Sequence, residues 1–504
     1  MTTYEKLRWR ETEPGVWSKD EDEIEQFYST IARLYSGSGR VFFAITGHLS
    51  LRVEANSSGQ TITNQDVDKA LQLGWLALRR SHPTIASYSE FDPSTGKFTK
   101  FYRSDEDGWL EKTLVPVSNG QTGVEFANSD PPVPKLPTLF VITPPASDDT
   151  TIRRDLVLRS HHDILDGIGT LMLFNNLVAH AAEALRLGDA FRVEEVDKAK
   201  IEQRLSPSYR IAAEVPEAHT EAMKKRLARL AAAAEADGKR EKVEIVGVPF
   251  KRGAEVPGKH QRVELELSPE QTSRVLSAAK QLGATVTHIY HAAIALAIRK
   301  LQTQTDEDRP VQYLLYLLRN ERANCRPPYN GHEHPAALYH SVSGEKLIVD
   351  MVVPQKGTVA NEAAEKEEFL RILKEMRDFY NTVRDDTEHA AAAPDLWAKG
   401  IPKLPKEEDS SQPLPVPPPD LAPQASISSM GKIDRVLAER AGSFEVHNPW
   451  VTGEELRSFL GLFLGTFRGT LALSAAYNDA WHDEQGAVEF LKRTHAVVER
   501  GLGV

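Results

Sequence analysis

Hydrophobic residues along this chain change period repeatedly, and each change predicts an element. Helical spacing over residues 22–35 puts Ile24, Phe27, Ile31 and Leu34 on one face, and over 66–80 it aligns Val67, Leu71, Trp75 and Leu78. Alternation predicts strands over 41–53, 98–103 and 138–143, with Pro131-Pro132-Val133-Pro134 marking a loop before the last. Residues 155–159 read as a further strand, with Leu156 and Leu158 on one face. The period then switches: Ile168, Leu171, Met172, Phe174, Leu177 and Val178 recur at helical spacing to about residue 187. This mixture predicts an α+β lobe over residues 1–187.

Residues 188–250 differ in character. A polar stretch with Pro207 and Pro216 leads to a helix over 217–236, apolar at Met223, Leu227, Leu230 and Ala234 and closed by Gly238-Lys239-Arg240. It reads as a connector that packs part of itself against one lobe. A second lobe over 251–504 opens with a strand at 261–267, Val263, Leu265 and Leu267 inward. Ser268-Pro269-Glu270-Gln271 is a helix start, with a capping serine, a proline in the first turn and glutamine three on. Gly283 closes that helix, and the next, 285–300, is apolar almost all round and so predicted buried. A strand over 311–318 ends at Arg319-Asn320-Glu321-Arg322, followed by an amphipathic helix over 362–385. Residues 403–423 are a proline-rich surface crossing. Strands near 444–447, 459–464 and 471–477 precede a last helix, 484–502, burying Val488, Leu491 and Val498.

At 504 residues the chain exceeds what one hydrophobic core organises, in keeping with two lobes. Its net charge of −11 argues against nucleic acid as the main partner and against adhesion to an anionic membrane. A single cysteine, Cys325, excludes an intrachain disulfide and a cysteine-rich zinc site. Met1-Thr2-Thr3-Tyr4-Glu5-Lys6 lacks the basic-then-apolar order of a secretory leader, and no apolar run approaches the ~20 residues that span a bilayer. A reduced, cytoplasmic, monomeric protein without membrane insertion is the expectation.

The candidate chemistry lies at the switch of period, in Ser160-His161-His162-Asp163-Ile164-Leu165-Asp166-Gly167. Where a strand ends and a helix begins, a side chain faces a cleft while its backbone stays fixed. Asp163 or Asp166 suits the helix cap, and Gly167 leaves room for a close neighbour. A neutral imidazole suits proton removal from a hydroxyl. Asp166, four residues beyond His162, suits holding the turn through a cation. Residue chemistry alone leaves a plainer reading open, a core histidine pair with a capping aspartate. Chelation fits poorly, because adjacent histidines at a strand end project to opposite faces. Gly331-His332-Glu333-His334 sits in a loop after Pro327-Pro328 and makes no better metal site; His288 and His291 share a helix face and read as packing residues. Nothing marks Cys325 as a nucleophile. The cluster Lys251, Arg252, Lys259, His260 and Arg262 suits the phosphates of a nucleotide-bearing cofactor and equally suits an ordinary solvated surface.

With these residues in view, the chain resembles the coenzyme-A-dependent acyltransferase superfamily, which includes plant acyl-CoA transferases, nonribosomal condensation domains and alcohol acetyltransferases. His161-His162-Asp163-Ile164-Leu165-Asp166-Gly167 is its His-His-x-x-x-Asp-Gly motif. Arg322-Ala323-Asn324-Cys325-Arg326-Pro327-Pro328 is similar to its Arg-x-x-x-x-Pro-Pro segment. Ser426 to Asp434 resembles the Ser-Asn-Leu-Gly-x-Ile-Asp segment of alcohol acetyltransferases, and Leu473 to Asp479 the closing strand. The plant-type Asp-Phe-Gly-Trp-Gly segment is missing, with 426–434 the nearest counterpart. Within the superfamily the motif wording and the connector Leu205-Ser206-Pro207-Ser208-Tyr209 look most like the fungal trichothecene O-acetyltransferases, the 15-O-acetylating kind in particular.

The resemblance implies two chloramphenicol-acetyltransferase-like lobes, each a mixed β-sheet with helices, meeting at a central tunnel. It implies transfer of acetyl from acetyl-CoA to a hydroxyl of a hydrophobic terpenoid alcohol, with no acyl-enzyme. Acetyl-CoA is then a cosubstrate, and neither a metal nor a resident cofactor is expected. His162 becomes the general base, His161 a support, and Asp166 a loop-fixing residue paired with Arg322, with Arg319 as the second choice. Ser428 or Ser429, or a backbone amide beside them, becomes the candidate oxyanion donor. Two other readings stay open: condensation on a carrier-bound thioester, and a lapsed relative that binds a metabolite without turnover. A His162 ring walled off from any opening contradicts the transferase reading.

Overall fold

Alternating leucines pair across the centre of the first lobe's sheet. Strand Thr151–Ser160 runs antiparallel to Ile45–Glu54, with Leu156 opposite Leu49 and Ile152 opposite Val53. The computed structural model describes residues 3–57, 60–104, 107–145, 150–195, 200–240, 242–359, 361–404 and 414–504. In it the first sheet has six strands, in the order Arg440–Ala441, Phe444–Gly453, Ile45–Glu54, Thr151–Ser160, Thr138–Ile142 and Leu114–Val117. All neighbours are antiparallel except the last pair. Helices Asn64–Ser81 and Gly167–Leu187 cover one face, and Trp75, Leu78, Leu171 and Phe174 join the sheet's leucines in one core. The two helices approach closely at Gly74, where a methyl would meet the Ala181 backbone nitrogen at 2.9 Å.

The second lobe holds a four-stranded sheet, ordered His260–Glu266, Thr470–Asn478, Leu460–Phe467 and Ala425–Lys432, with the last pair parallel. Beside it lies a three-stranded sheet of Glu244–Ile245, Arg309–Leu315 and Leu347–Val353. Helix Val286–Lys300 is the most buried of the lobe, as its all-round apolar pattern requires, and Glu362–Asp385 and Glu484–Leu502 pack on it. Within it His291 is satisfied by the hydroxyls of Tyr380 and Tyr313, at 3.1 and 2.9 Å. Ser268 and Gln271 form the reciprocal cap that starts helix Pro269–Gln281.

Several sequence expectations are corrected. The boundary at residue 250 does not divide the sheets, because strand Phe444–Gly453 leaves the second half of the chain and completes the first lobe's sheet. The reason is hydrogen bonding: without that strand, one edge of Ile45–Glu54 would be unpaired. The connector belongs to both lobes, since Leu205 sits in the first core and Glu244–Ile245 pairs with Arg309–Leu315. Its helix spans Glu221–Lys239, because Thr220 supplies the cap. The strand expected over 311–318 breaks into Arg309–Leu315 and Leu318–Asn320. Strands Arg10–Glu13, Val16–Asp20, Ser87–Asp92, Leu347–Val353 and Ala425–Lys432 and helix His389–Gly400 were not anticipated. Of the proline-rich crossing, residues 405–413 lie outside the described residues. Among the described residues no helix is long and apolar enough to cross a membrane.

Candidate active site

Strand Thr151–Ser160 is held on both sides within its sheet, so its end fixes where the following turn begins. The turn delivers His161 and His162, both half-buried, and closes on Asp166, whose Oδ1 accepts from Gly169 N at 2.7 Å and caps helix Gly167–Leu187. The Arg322 guanidinium donates through Nη1 to both carboxylate oxygens of Asp166, at 2.9 and 2.7 Å, and Tyr339 N donates to Oδ2 at 3.0 Å. Both side chains are almost wholly enclosed. Burial works to raise the Asp166 carboxyl, but the guanidinium outweighs it and holds the group well below the usual carboxylate range. Arg319 turns elsewhere, to Glu321 at 2.9 Å and the Val383 carbonyl.

Asp163 does not cap the helix. It lies 3.2 Å from the ammonium of Lys100 and accepts from Ser89 Oγ at 2.7 Å. Lys100 also donates to Glu25 at 2.9 Å, and Lys19 bonds the same carboxylate at 2.5 Å. Burial would raise the Asp163 carboxyl, yet Lys100 brings it down to about 2. A buried charge network therefore underlies the histidine turn from one side, and the Asp166–Arg322 pair locks it from the other.

Between these anchors the His162 ring stacks on Tyr28, with centroids 3.8 Å apart and planes 13° apart. His340 lies beside it at 5.6 Å. The Nδ1 atom of His162 is enclosed with no hydrogen-bond partner in another described residue, which leaves Nε2 as the ring nitrogen that is not so enclosed. Burial drives the His162 imidazole down to about 3, with the residue's own carbonyl and Asp166 pulling the other way. The ring is thus neutral at physiological pH. Burial also lowers His161, whose ring makes no hydrogen bond to another described residue.

An interlobe cavity approaches this turn through Met430, and neither His161 nor His162 lines it. This cavity of about 360 Å³ is lined by His447, Trp450 and Val451 of the first sheet, by Phe463, Leu464 and Ala472 of the second, and by Met430. Met430 in turn covers Gly167, where a methyl would meet its Cε at 2.8 Å. Strand Ala425–Lys432 so brings Ser428, half-buried, and Ser429, exposed, toward the start of the motif helix. Ser429 Oγ shares a hydrogen bond with Thr287 Oγ1 at 2.9 Å. Against the His162 ring the packing is aromatic: Tyr28 meets Phe27, Phe43 and Trp397 at 5.2, 6.0 and 5.9 Å within one core cluster.

The basic cluster divides. Lys251, Arg252 and Lys259 are exposed; Lys251 Nζ donates to the Asp479 carbonyl at 2.9 Å, and Arg252 lies 4.1 Å over the Phe250 ring. Arg262 is buried, paired with Glu264 of its own strand at 2.5 Å and lying over Trp450 of the first sheet at 4.2 Å, so its charge is already satisfied. Cys325 is buried, which pushes its thiol up to about 12. Among the described residues no group of three His, Cys, Asp or Glu side chains gathers where a metal ion would sit. Tyr28 and His340 were missed by sequence reasoning. Tyr28 follows Ile24 by four residues on the buried face, a signal only of burial, and His340 stands in a short strand with no periodic mark.

No family model matches the chain. It is 27% identical over 334 residues to an O-acetyltransferase, pigM, of Monascus ruber, a match covering 66% of this chain and 60% of that protein. Its fold is similar to that of the TRI3 trichothecene 15-O-acetyltransferase of Fusarium sporotrichioides, with a TM-score of 0.74, 16% identity, and 99% and 98% of the two chains covered. The first condensation domain of the calcium-dependent antibiotic synthetase follows at a TM-score of 0.61, 13% identity and 96% coverage of each chain. The chain has the two-lobed fold shared by coenzyme-A-dependent acyltransferases and condensation domains.

Proposed function

We propose that this chain, built on the fold of the coenzyme-A-dependent acyltransferases, is an O-acetyltransferase that moves acetyl from acetyl-CoA to a hydroxyl of a terpenoid alcohol. The carrying observation is the His162 ring on a turn fixed by the Asp166–Arg322 pair, Nδ1 enclosed and the ring stacked on Tyr28, with Met430, which covers Gly167 of the same motif, lining an interlobe cavity. His162 Nε2 takes the proton of the substrate hydroxyl as its oxygen attacks the thioester carbonyl. The tetrahedral oxyanion then collapses, expelling the thiolate of coenzyme A, which takes the proton back from the imidazolium. Both substrates are held together, so no acyl-enzyme is needed and proximity lowers the barrier. Ser428 or Ser429, or a backbone amide beside them, supplies the oxyanion donor. The interlobe cavity takes the thioester.

The finer substrate in this reading is the C-15 hydroxyl of a trichothecene, supported by the structural likeness to the trichothecene enzyme over nearly the whole chain. The test incubates the purified protein with labelled acetyl-CoA and a panel of terpenoid alcohols, including a 15-hydroxy trichothecene, and follows ester by mass spectrometry. His162→Ala, still folded, should lose about 10²- to 10⁴-fold in rate. Near-normal transfer by that variant refutes the assignment of the base. Product only from a carrier-bound thioester would move the chain to condensation chemistry, and binding without product would make it a lapsed relative.

A further inference from the structure

As the base, His162 must accept a positive charge although its Nδ1 is enclosed. Asp166, the carboxylate that closes the turn, is already taken up by Arg322 and two backbone amides. Asp163 is taken up by Lys100. The group in face-to-face contact with the ring is the phenol of Tyr28, at 3.8 Å and 13°.

We infer that Tyr28 is a positioning residue for His162, whose ring face stabilises the imidazolium formed during transfer and whose hydroxyl is held by His340. An aromatic face attracts a cation that lies over it, most strongly where water is absent. Tyr28 is buried, and Phe27, Phe43 and Trp397 hold the ring in place at 5.2, 6.0 and 5.9 Å, with Phe27 and Trp397 4.9 Å from each other. Its hydroxyl lies 2.8 Å from His340 Nε2, and burial keeps the phenol protonated, so it donates there in the tautomer that carries the His340 proton on Nδ1. Donation enriches the phenol oxygen and with it the ring face that meets His162. In that tautomer His340 Nδ1–H lies 3.8 Å from Asp166 Oδ2, beyond hydrogen-bonding range, with the carboxylate an electrostatic neighbour that favours a proton there.

This inference rests on His162 as the base, but it can be tested without the acetyl acceptor. Diethyl pyrocarbonate is attacked by the imidazole Nε2; ethyl carbonate leaves, a ring proton is lost, and charge builds on the ring in the transition state as it does in acetyl transfer. The probe reaction is carbethoxylation of His162, followed by peptide mapping. The variants are Tyr28→Phe and the same position carrying mono-, di- and trifluorophenylalanine, which weaken the ring face stepwise at nearly constant volume and so should all fold. The expected result is a stepwise fall in rate, about 10- to 30-fold across the series, with Tyr28→Phe within about threefold of the parent. The kcat for acetyl transfer should fall in parallel while KM for both substrates holds. A rate flat across the series, a rate that rises in Tyr28→Leu because a shield has gone, or a His162 inert to the reagent in every form overturns it. If carbethoxylation follows the series but the parent forms no acetyl ester, the stacking inference stands and the acetyltransferase reading falls.

Discussion

The contact between Asp166 and Arg322 is the one on which the histidine turn depends, and its removal has a calculable cost. In Arg322→Met the Asp166 carboxylate stays enclosed, keeping only the amides of Gly169 and Tyr339 at 2.7 and 3.0 Å. An uncompensated buried charge of this kind costs about 3–5 kcal/mol. In Asp166→Asn the Gly169 cap survives through the amide oxygen, but an NH₂ now faces the guanidinium, donor against donor. Arg322 retains the carbonyls of Pro335 and Ala337 only at 3.4 Å, so about 3 kcal/mol is expected. The double variant removes both charges together and should cost about 4 kcal/mol rather than the sum, a coupling of about 2–4 kcal/mol. The assay is urea unfolding at pH 7, read where tryptophan fluorescence and circular dichroism transitions coincide. The choice of pH follows from sign: Asp166 titrates below its unfolded value, so the pair's stability is complete above about pH 4 and is lost as pH falls towards the folded value. Costs that add to within about 0.5 kcal/mol would refute the reasoning.

Two further outcomes follow from the same geometry. Because burial brings His162 down to about 3, its base form persists well into acid, and kcat/KM should stay flat from pH 8 to about 5. An inflection near 6.5 in that profile would contradict the enclosed ring. Gly167→Ala should cost less than about 1 kcal/mol, since the clashing atom is the flexible end of Met430, whereas Gly169→Ala drives a methyl to 2.2 Å from the Pro335 carbonyl and should cost about 3 kcal/mol. Equal thermal shifts for the two variants would show that the helix start is not packed as described.

Long helices with strong apolar period were legible to the residue, as at Glu362–Asp385 and Glu484–Leu502, because burial of one face decides them. Strands Val16–Asp20 and Lys97–Arg103 carry buried Lys19 and Lys100, and a lysine in a run looks like surface until its carboxylate partner is known; the first of these strands went unread. Asp166 and Arg322 are 156 residues apart, beyond any spacing rule, and only the likeness to a family's wording led to Arg322. Tyr28 and His340 are 312 residues apart and lie in no family segment that the sequence brought to mind, so their meeting at His162 is a product of tertiary packing alone. Likewise, a period-two pattern over 444–447 announces a strand and is silent about which sheet will take it.

That strand has a consequence for how the molecule is made. Ile45–Glu54 stays open along one flank until residue 453 of 504 has been synthesised, so the first half of the chain emerges with a row of unpaired backbone donors and acceptors. Nascent chains halted before that point would be ready substrates for chaperones or for one another. Once the late ribbon is threaded in, the two halves are stitched through shared backbone bonds, and neither can swing away to admit a substrate without tearing a sheet.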